Sequence, residues 1–137
     1  MEIERRTANV SMVPVNNHEY MQVLRYKHGQ YYQIHHDYIP GHNGMPIGPR
    51  LLTLYIYLSN VTAGGRTAFP HLNTPLAVEP LAGAAIIWPS VVDEDVWKKD
   101  GRTMHEAQPV EEGTKFGINA WLHLYNFREP HTRACTG

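Results

Sequence analysis

The sequence predicts a mainly β chain, a sandwich or jelly roll of about eight short strands. Three observations predict it. Runs rich in apolar, β-branched and aromatic residues recur along the chain, as in Leu51-Leu52-Thr53-Leu54-Tyr55-Ile56-Tyr57-Leu58. Clusters of Gly, Pro and Asn separate these runs at short intervals. No segment carries a strong helical period, so few or no helices are expected.

At 137 residues the chain has the length of one domain with a modest core. No repeat, linker or low-complexity stretch divides it, so 1–137 reads as a single domain with a core over 20–124 and a loose tail over 125–137. Twelve Lys and Arg against 13 Asp and Glu leave a net charge of −1. No basic run marks a nucleic-acid or anionic membrane partner. The one cysteine, Cys135, excludes an intrachain disulfide and suits a reducing compartment. No run approaches the ~20 apolar residues of a membrane-spanning helix. Met1-Glu2-Ile3-Glu4-Arg5-Arg6 lacks the apolar core of a signal peptide. A complete chain of this kind is expected in the cytoplasm; a domain trimmed from a longer protein would suit the endoplasmic reticulum lumen as well. Asn9 and Asn60 open N-x-S/T triplets, which matter only on a secretory route.

Taken in order, residues 1–18 are mixed and polar and read as an irregular or edge segment. Met21 to Tyr26 alternates as a strand, Lys27-His28-Gly29-Gln30 turns, and Tyr31 to Asp37 returns, which predicts a hairpin. Ile39 to Pro49 is a Gly/Pro-rich loop placed as a lid or substrate loop. Leu51 to Leu58 reads as a central strand buried on both faces. Short strands follow at Arg66 to Phe69, Leu76 to Val78 and Ala84 to Trp88, then a polar loop from Pro89 to Gly101. Met104 to Val110 and Lys115 to Tyr125 read as the two arms of a final hairpin across Glu111 to Thr114.

Chemistry concentrates first at His35-His36-Asp37. On a strand His35 and Asp37 share one face and His36 takes the other. An imidazole and a carboxylate side by side are two thirds of the 2-His-1-carboxylate triad that suits non-haem Fe(II). The third ligand is open among His42, His71, His105, His123 and His131. Rigid elements hold ligands best, which leaves His105 and His123, with His105 modestly favoured. Lys115 opens the last strand, where a cation could meet the far carboxylate of a dicarboxylate.

A set of ordered segments carries a resemblance. They are Arg25-Tyr26-x-x-Gly29-x-x-Tyr32-x-x-His35-x-Asp37-Tyr38, Arg50-x-x-Thr53, Tyr57-Leu58-Ser59-Asn60-Val61, Gly64-Gly65-Arg66-Thr67-Ala68-Phe69-Pro70, Pro80-x-x-Gly83-Ala84, His105-x-x-x-Pro109-Val110 and Gly113-x-Lys115 with Trp121-Leu122-His123. Over roughly residues 20–124 the chain resembles the catalytic domain of Fe(II)/2-oxoglutarate-dependent prolyl 4-hydroxylases. The resemblance implies a double-stranded β-helix. It selects His105 over His123, so that His35, Asp37 and His105 bind Fe(II). It implies that Lys115 pairs with the distal carboxylate of 2-oxoglutarate, assisted by Tyr26 and Thr67 and more weakly by Tyr57. Arg50, Trp121 and His123 match positions that line a peptide groove. O2 as oxidant and ascorbate as reductant are implied with them. The reaction would hydroxylate proline in peptides or proteins and convert 2-oxoglutarate and O2 to succinate and CO2.

Against the family pattern, the chain is expected to lack an N-terminal helical brace and carries Arg66 in the Gly-Gly-x-Thr segment, expected as a surface change. His36 is expected to have no role in metal binding. Tyr55 and Trp88 are expected to pack rather than bind. Two further readings stay open: a hydroxylase of free proline or another small molecule, and a non-catalytic jelly-roll module that binds metal or peptide.

Overall fold

The computed structural model describes residues 2–134. Cys135 lies outside the described residues. The first element is a helix, α1 (Glu2–Ser11). Strands follow as β1 (Gln22–Tyr26), β2 (Tyr32–His35), β3 (Arg50–Tyr57), β4 (Ala63–Gly64), β5 (Thr67–Phe69), β6 (Leu76–Val78) and β7 (Ala85–Pro89). Then come β8 (Val91–Val92), β9 (Asp95–Lys99), β10 (His105–Ala107), β11 (Val110–Glu112), β12 (Lys115–His123) and a short helix, α2 (Arg128–Thr132). No helix among the described residues is long and apolar enough to cross a membrane.

Two four-stranded antiparallel sheets face each other. The larger has the order β1-β12-β3-β7 and the smaller β2-β10-β5-β6. Side chains from both sheets meet between them: Tyr55, Tyr57 and Trp88 from the larger sheet pack with Phe69 from the smaller. This is the expected double-stranded β-helix. As expected, β3 is central and covered on both faces, since alternate residues take opposite sides. Thr53, Tyr55 and Tyr57 point to the interior, while Leu54 joins Ala120 and Leu122 in a second cluster on the outer side.

Besides the 89–101 stretch, which holds the β8–β9 hairpin where a loop was expected, four expectations change. The segment 1–18 is not irregular throughout, because its first part is α1. The helix is largely polar and buries only Glu4 and Thr7, so it shows little apolar period. It is fastened by an ion pair from Glu4 to Arg128. The hairpin expected between β1 and β2 does not form: β1 pairs with β12 and β2 with β10, one in each sheet. Nor do β10 and β12 pair, since β10 lies between β2 and β5. A short turn links each pair in sequence, but the two arms take their hydrogen-bond partners in different sheets. Last, the tail is docked through Phe127 and the ring of His131. Phe127 is buried and stacks on His123 at 5.0 to 5.3 Å spacing together with His131.

The 39–49 loop is also anchored. A 3₁₀ turn spans Pro40–Gly44. Beyond it Ile47 is buried, and the Tyr125 and Leu124 amides donate to the Ile47 and Pro49 carbonyls. Gly48 has φ +65 and a Cβ there would meet the Tyr125 ring at 3.0 Å, so this close approach needs glycine.

Leu122 has no exposed surface and joins Leu54 and Ala120 in the outer cluster. Leu122→Ala is expected to lower unfolding free energy by about 3 kcal/mol, through lost burial and a cavity. Urea titration checks this.

Candidate active site

The pairing of β2 with β10 sets His35 opposite His105. Their rings lie 4.3 Å apart between centroids. Strand β2 ends at His35, so Asp37 is not on the strand as the alternation argument assumed; it sits on the bend that follows. The bend still turns its carboxylate toward both histidines. One ligand atom from each of His35, Asp37 and His105 lies within 4.8 Å of the other two.

The ring tautomers follow from the hydrogen bonds. His35 Nδ1 donates to the Gln33 carbonyl at 2.9 Å, and His105 Nδ1 donates to the Thr103 carbonyl at 3.0 Å. Each Nε2 is thereby left with its lone pair facing Asp37. Burial pushes His105 below its ordinary pKa, which favours the neutral imidazole a metal requires. The Thr53 hydroxyl donates to Asp37 Oδ2 at 2.6 Å and fixes the carboxylate. Two imidazole nitrogens and one carboxylate on one side of a cavity are the donor set that Fe(II) takes with open positions. His36 is turned away, as expected. Its Nδ1 accepts the Tyr38 amide and its Nε2 donates to the Asp100 carbonyl at 2.8 Å.

The triad opens on a cavity of about 410 Å³ between the two sheets. Lys115 lies deeper in it, with 1 % of its surface exposed. Among the described residues its ammonium has only the Thr67 hydroxyl within reach, at 3.4 Å. The rings of Tyr55, Tyr26 and Tyr57 surround it at 5.2 to 5.6 Å. Desolvation pulls its pKa down to about 8. Tyr57 is fully buried and donates its hydroxyl to Thr67 Oγ1 at 2.9 Å. With Thr67 Oγ1 accepting from both Tyr57 and Lys115, its own proton is free to point to a ligand.

Three side chains lining this cavity carry a buried polar atom with no partner: Tyr55 Oη, Trp88 Nε1 and Trp121 Nε1. The two indoles are donors only. The cavity thus holds a desolvated cation and several unmatched donors, which is the complement of an oxygen-rich anion.

Toward the mouth, the Arg50 guanidinium lies 4.1 Å over the Trp121 ring. Both line the cavity with Ile39 of the 39–49 loop. Glu19 accepts from Arg50 Nε at 2.6 Å and from His123 Nε2 at 2.8 Å. Although burial raises the Glu19 carboxyl, these two partners hold it below its ordinary pKa. His123 does not line the cavity. It is fully buried, with Nδ1 donating to the Gly48 carbonyl and its ring against His42. It reaches the groove only through Glu19 and Arg50, because β12 bulges between Leu122 and His123. His71 stands outside the metal cluster, as do His42 and His131.

Sequence reasoning missed Thr53 and Glu19 as supports; Tyr55 and Trp88 pack in the core as expected and also line the cavity. For Thr53 the signal was a polar residue at an interior-facing position of an otherwise apolar strand. For Trp88, whose ring packs on His105 at 4.7 Å, and for Glu19, no local pattern could have told.

Residues 21–123 match the 2OG-Fe(II) oxygenase superfamily, and the chain belongs to that family. It is 33% identical over 147 residues to the probable prolyl 4-hydroxylase 4 of Arabidopsis thaliana, covering 91% of this chain and 48% of that protein. It is 38% identical over 118 residues to the prolyl 4-hydroxylase subunit alpha-3 of Bos taurus, covering 82% of this chain and 21% of that protein. The chain therefore spans about half, or less, of the curated relatives it matches. Among solved structures it is similar to the viral collagen prolyl hydroxylase of Paramecium Bursaria Chlorella virus-1 in its 2OG complex. The TM-score is 0.73 at 34% identity, covering 90% of this chain and 70% of that one.

Thr53→Val removes the hydroxyl on Asp37 and is expected to weaken Fe(II) binding about tenfold or more, read by metal titration. Lys115 supplies a pH dependence. Between about 8 and the ordinary 10.5 the unfolded chain holds the Lys115 proton and the folded chain does not, so stability rises with pH across that window. Affinity for a carboxylate ligand moves the other way and falls as pH rises through about 8. Binding titrations from neutral to alkaline pH should show this fall in the wild type and a weak, flat response in Lys115→Met.

Proposed function

We propose that the chain is a Fe(II)/2-oxoglutarate-dependent dioxygenase that hydroxylates proline in peptides or proteins to 4-hydroxyproline. The observation that carries the reading is the presence, in one cavity, of the His35-Asp37-His105 donor set and the unpaired buried ammonium of Lys115. A metal site alone would suit many chemistries; the added cation selects a metal-directed ligand with a remote carboxylate. Family membership and relatives named prolyl 4-hydroxylases support it.

His35, Asp37 and His105 would hold Fe(II). Bound there, the metal supplies the activation of O2 that is coupled to decarboxylation of 2-oxoglutarate. The balance is one substrate C–H, one 2-oxoglutarate and one O2 consumed, and one C–OH, one succinate and one CO2 formed. Lys115 neutralises the distal carboxylate, the Thr67 hydroxyl donates to it, and Tyr57 holds Thr67 in the donating orientation. Tyr26 walls the same end of the cavity. The buried aromatic walls keep water from the co-substrate.

Arg50 and Trp121 form a flat cationic and aromatic surface beside Ile39. Such a surface suits an extended polyproline II segment, which arrives already ordered and offers ring faces and carbonyl oxygens. This favours a peptide over free proline. His123 is a positioning residue here, acting on Arg50 through Glu19.

The test is turnover with Fe(II), 2-oxoglutarate, O2 and ascorbate against proline-rich peptides and free proline. One oxygen atom gained on a peptide proline, matched by succinate, is the expected result, and His105→Ala should lower turnover by about 10³-fold or more. Oxygen gained only on free proline would overturn the peptide assignment. Binding of metal and peptide with no succinate formed would make the chain a non-catalytic module.

A further inference from the structure

Tyr55 is the residue of the cavity whose chemistry is least explained. It is 5 % exposed, and its hydroxyl has no hydrogen-bond partner among the described residues. Burial pushes the phenol well above its ordinary pKa, so the oxygen keeps its proton and remains a donor. A buried unmatched hydroxyl is unfavourable, and phenylalanine would fill the same volume without it. Simple packing therefore does not account for a tyrosine here.

Position narrows the role. Tyr55 lines the cavity, and the Lys115 ammonium lies 5.2 Å from its ring centroid, nearer than to the rings of Tyr26 or Tyr57. The phenol reaches across from β3 onto β12 at Gly117, which lies between Lys115 and Asn119 on the inward face. A Cβ on Gly117 would stand 2.0 Å from Tyr55 Oη and 2.3 Å from its Cζ. Any other residue at 117 would evict the hydroxyl. Tyr57 cannot serve in its place, because its own hydroxyl is committed to Thr67.

We propose that Tyr55 is a co-substrate-binding residue whose hydroxyl donates to the carboxylate neutralised by Lys115, and that Gly117 is the position that admits it. This deepens the dioxygenase reading and rests on it. The co-substrate class is a short dicarboxylate, and the anchor becomes an ammonium with two hydroxyls, those of Thr67 and Tyr55. Neither Tyr55 nor Gly117 takes part in holding the metal, so Fe(II) affinity is independent of both.

Tyr55→Phe removes one oxygen atom and keeps the ring. Binding is measured on the full Fe(II)-loaded chain without O2, by calorimetry, using 2-oxoglutarate and glutarate, which has both carboxylates but no 2-oxo group. The expected result is about tenfold or greater weakening for both ligands, since a hydrogen bond to a charged group is lost. Fe(II) affinity should be unchanged, and the thermal midpoint of the dicarboxylate-free chain should hold or rise, since an unmatched buried donor is removed. In turnover, KM for 2-oxoglutarate rises with kcat nearly constant, the pattern of a group that binds ground and transition states alike. If Tyr55→Phe binds both dicarboxylates within about twofold of wild type, Tyr55 only packs and the proposal falls while the Lys115 site stands. If the wild type binds no dicarboxylate, the dioxygenase reading fails and takes this one with it.

Discussion

The site depends on one strand register. His105 opens β10 directly opposite the last residue of β2, His35, and this pair with Asp37 makes up the group of three that could hold a metal. A slip of one residue in either strand would turn one ring to the opposite face. Local devices fix that register. Asp100 is buried and its side chain accepts the Arg102 amide, which shapes the turn Gly101–Thr103 just before β10. His36 bonds to the Asp100 carbonyl and ties this turn to the segment carrying Asp37. Thr53 then reaches from the larger sheet to the carboxylate, so both sheets hold the triad.

The second constraint is electrostatic. Placing the ammonium of Lys115 between two sheets is unfavourable without a counter-charge, and among the described residues no carboxylate pairs with it. Aromatic faces soften the penalty, but they do not cancel it. Beside it the Tyr55 hydroxyl has no partner among the described residues, and Thr67 accepts from both Tyr57 and Lys115. Stability is given up in the ligand-free chain in exchange for a cavity already organised for an anion, a trade common at functional sites.

Much of this was legible along the chain. The strand content, the buried central strand over 51–58, the His35-Asp37 pair and the two candidate histidines on strands all follow from residue pattern. The family resemblance separated His105 from His123, and the buried position of His123 against Gly48 explains why the latter is a support instead. The pairing partners were not legible. Met21–Tyr26 and Tyr31–Asp37 have every local mark of a hairpin, yet each arm takes its backbone partner from a different sheet. The helix α1 was hidden because the residues it buries, Glu4 and Thr7, are polar and give no apolar stripe, and its Glu4–Arg128 ion pair joins distant parts of the chain.

The sequence by itself determined the alternation of faces on each strand, the turn positions and the His35-Asp37 pair, because these depend on neighbours two to four residues apart. Tertiary structure decided which strands adjoin, that Asp37 works from a bend, that His123 is enclosed, and that Tyr55 crosses to Gly117 beside a desolvated lysine. Those outcomes rest on burial and on contacts between residues far apart in the chain. No local pattern encodes them, because the free energy that selects them exists only once both sheets have closed over the cavity.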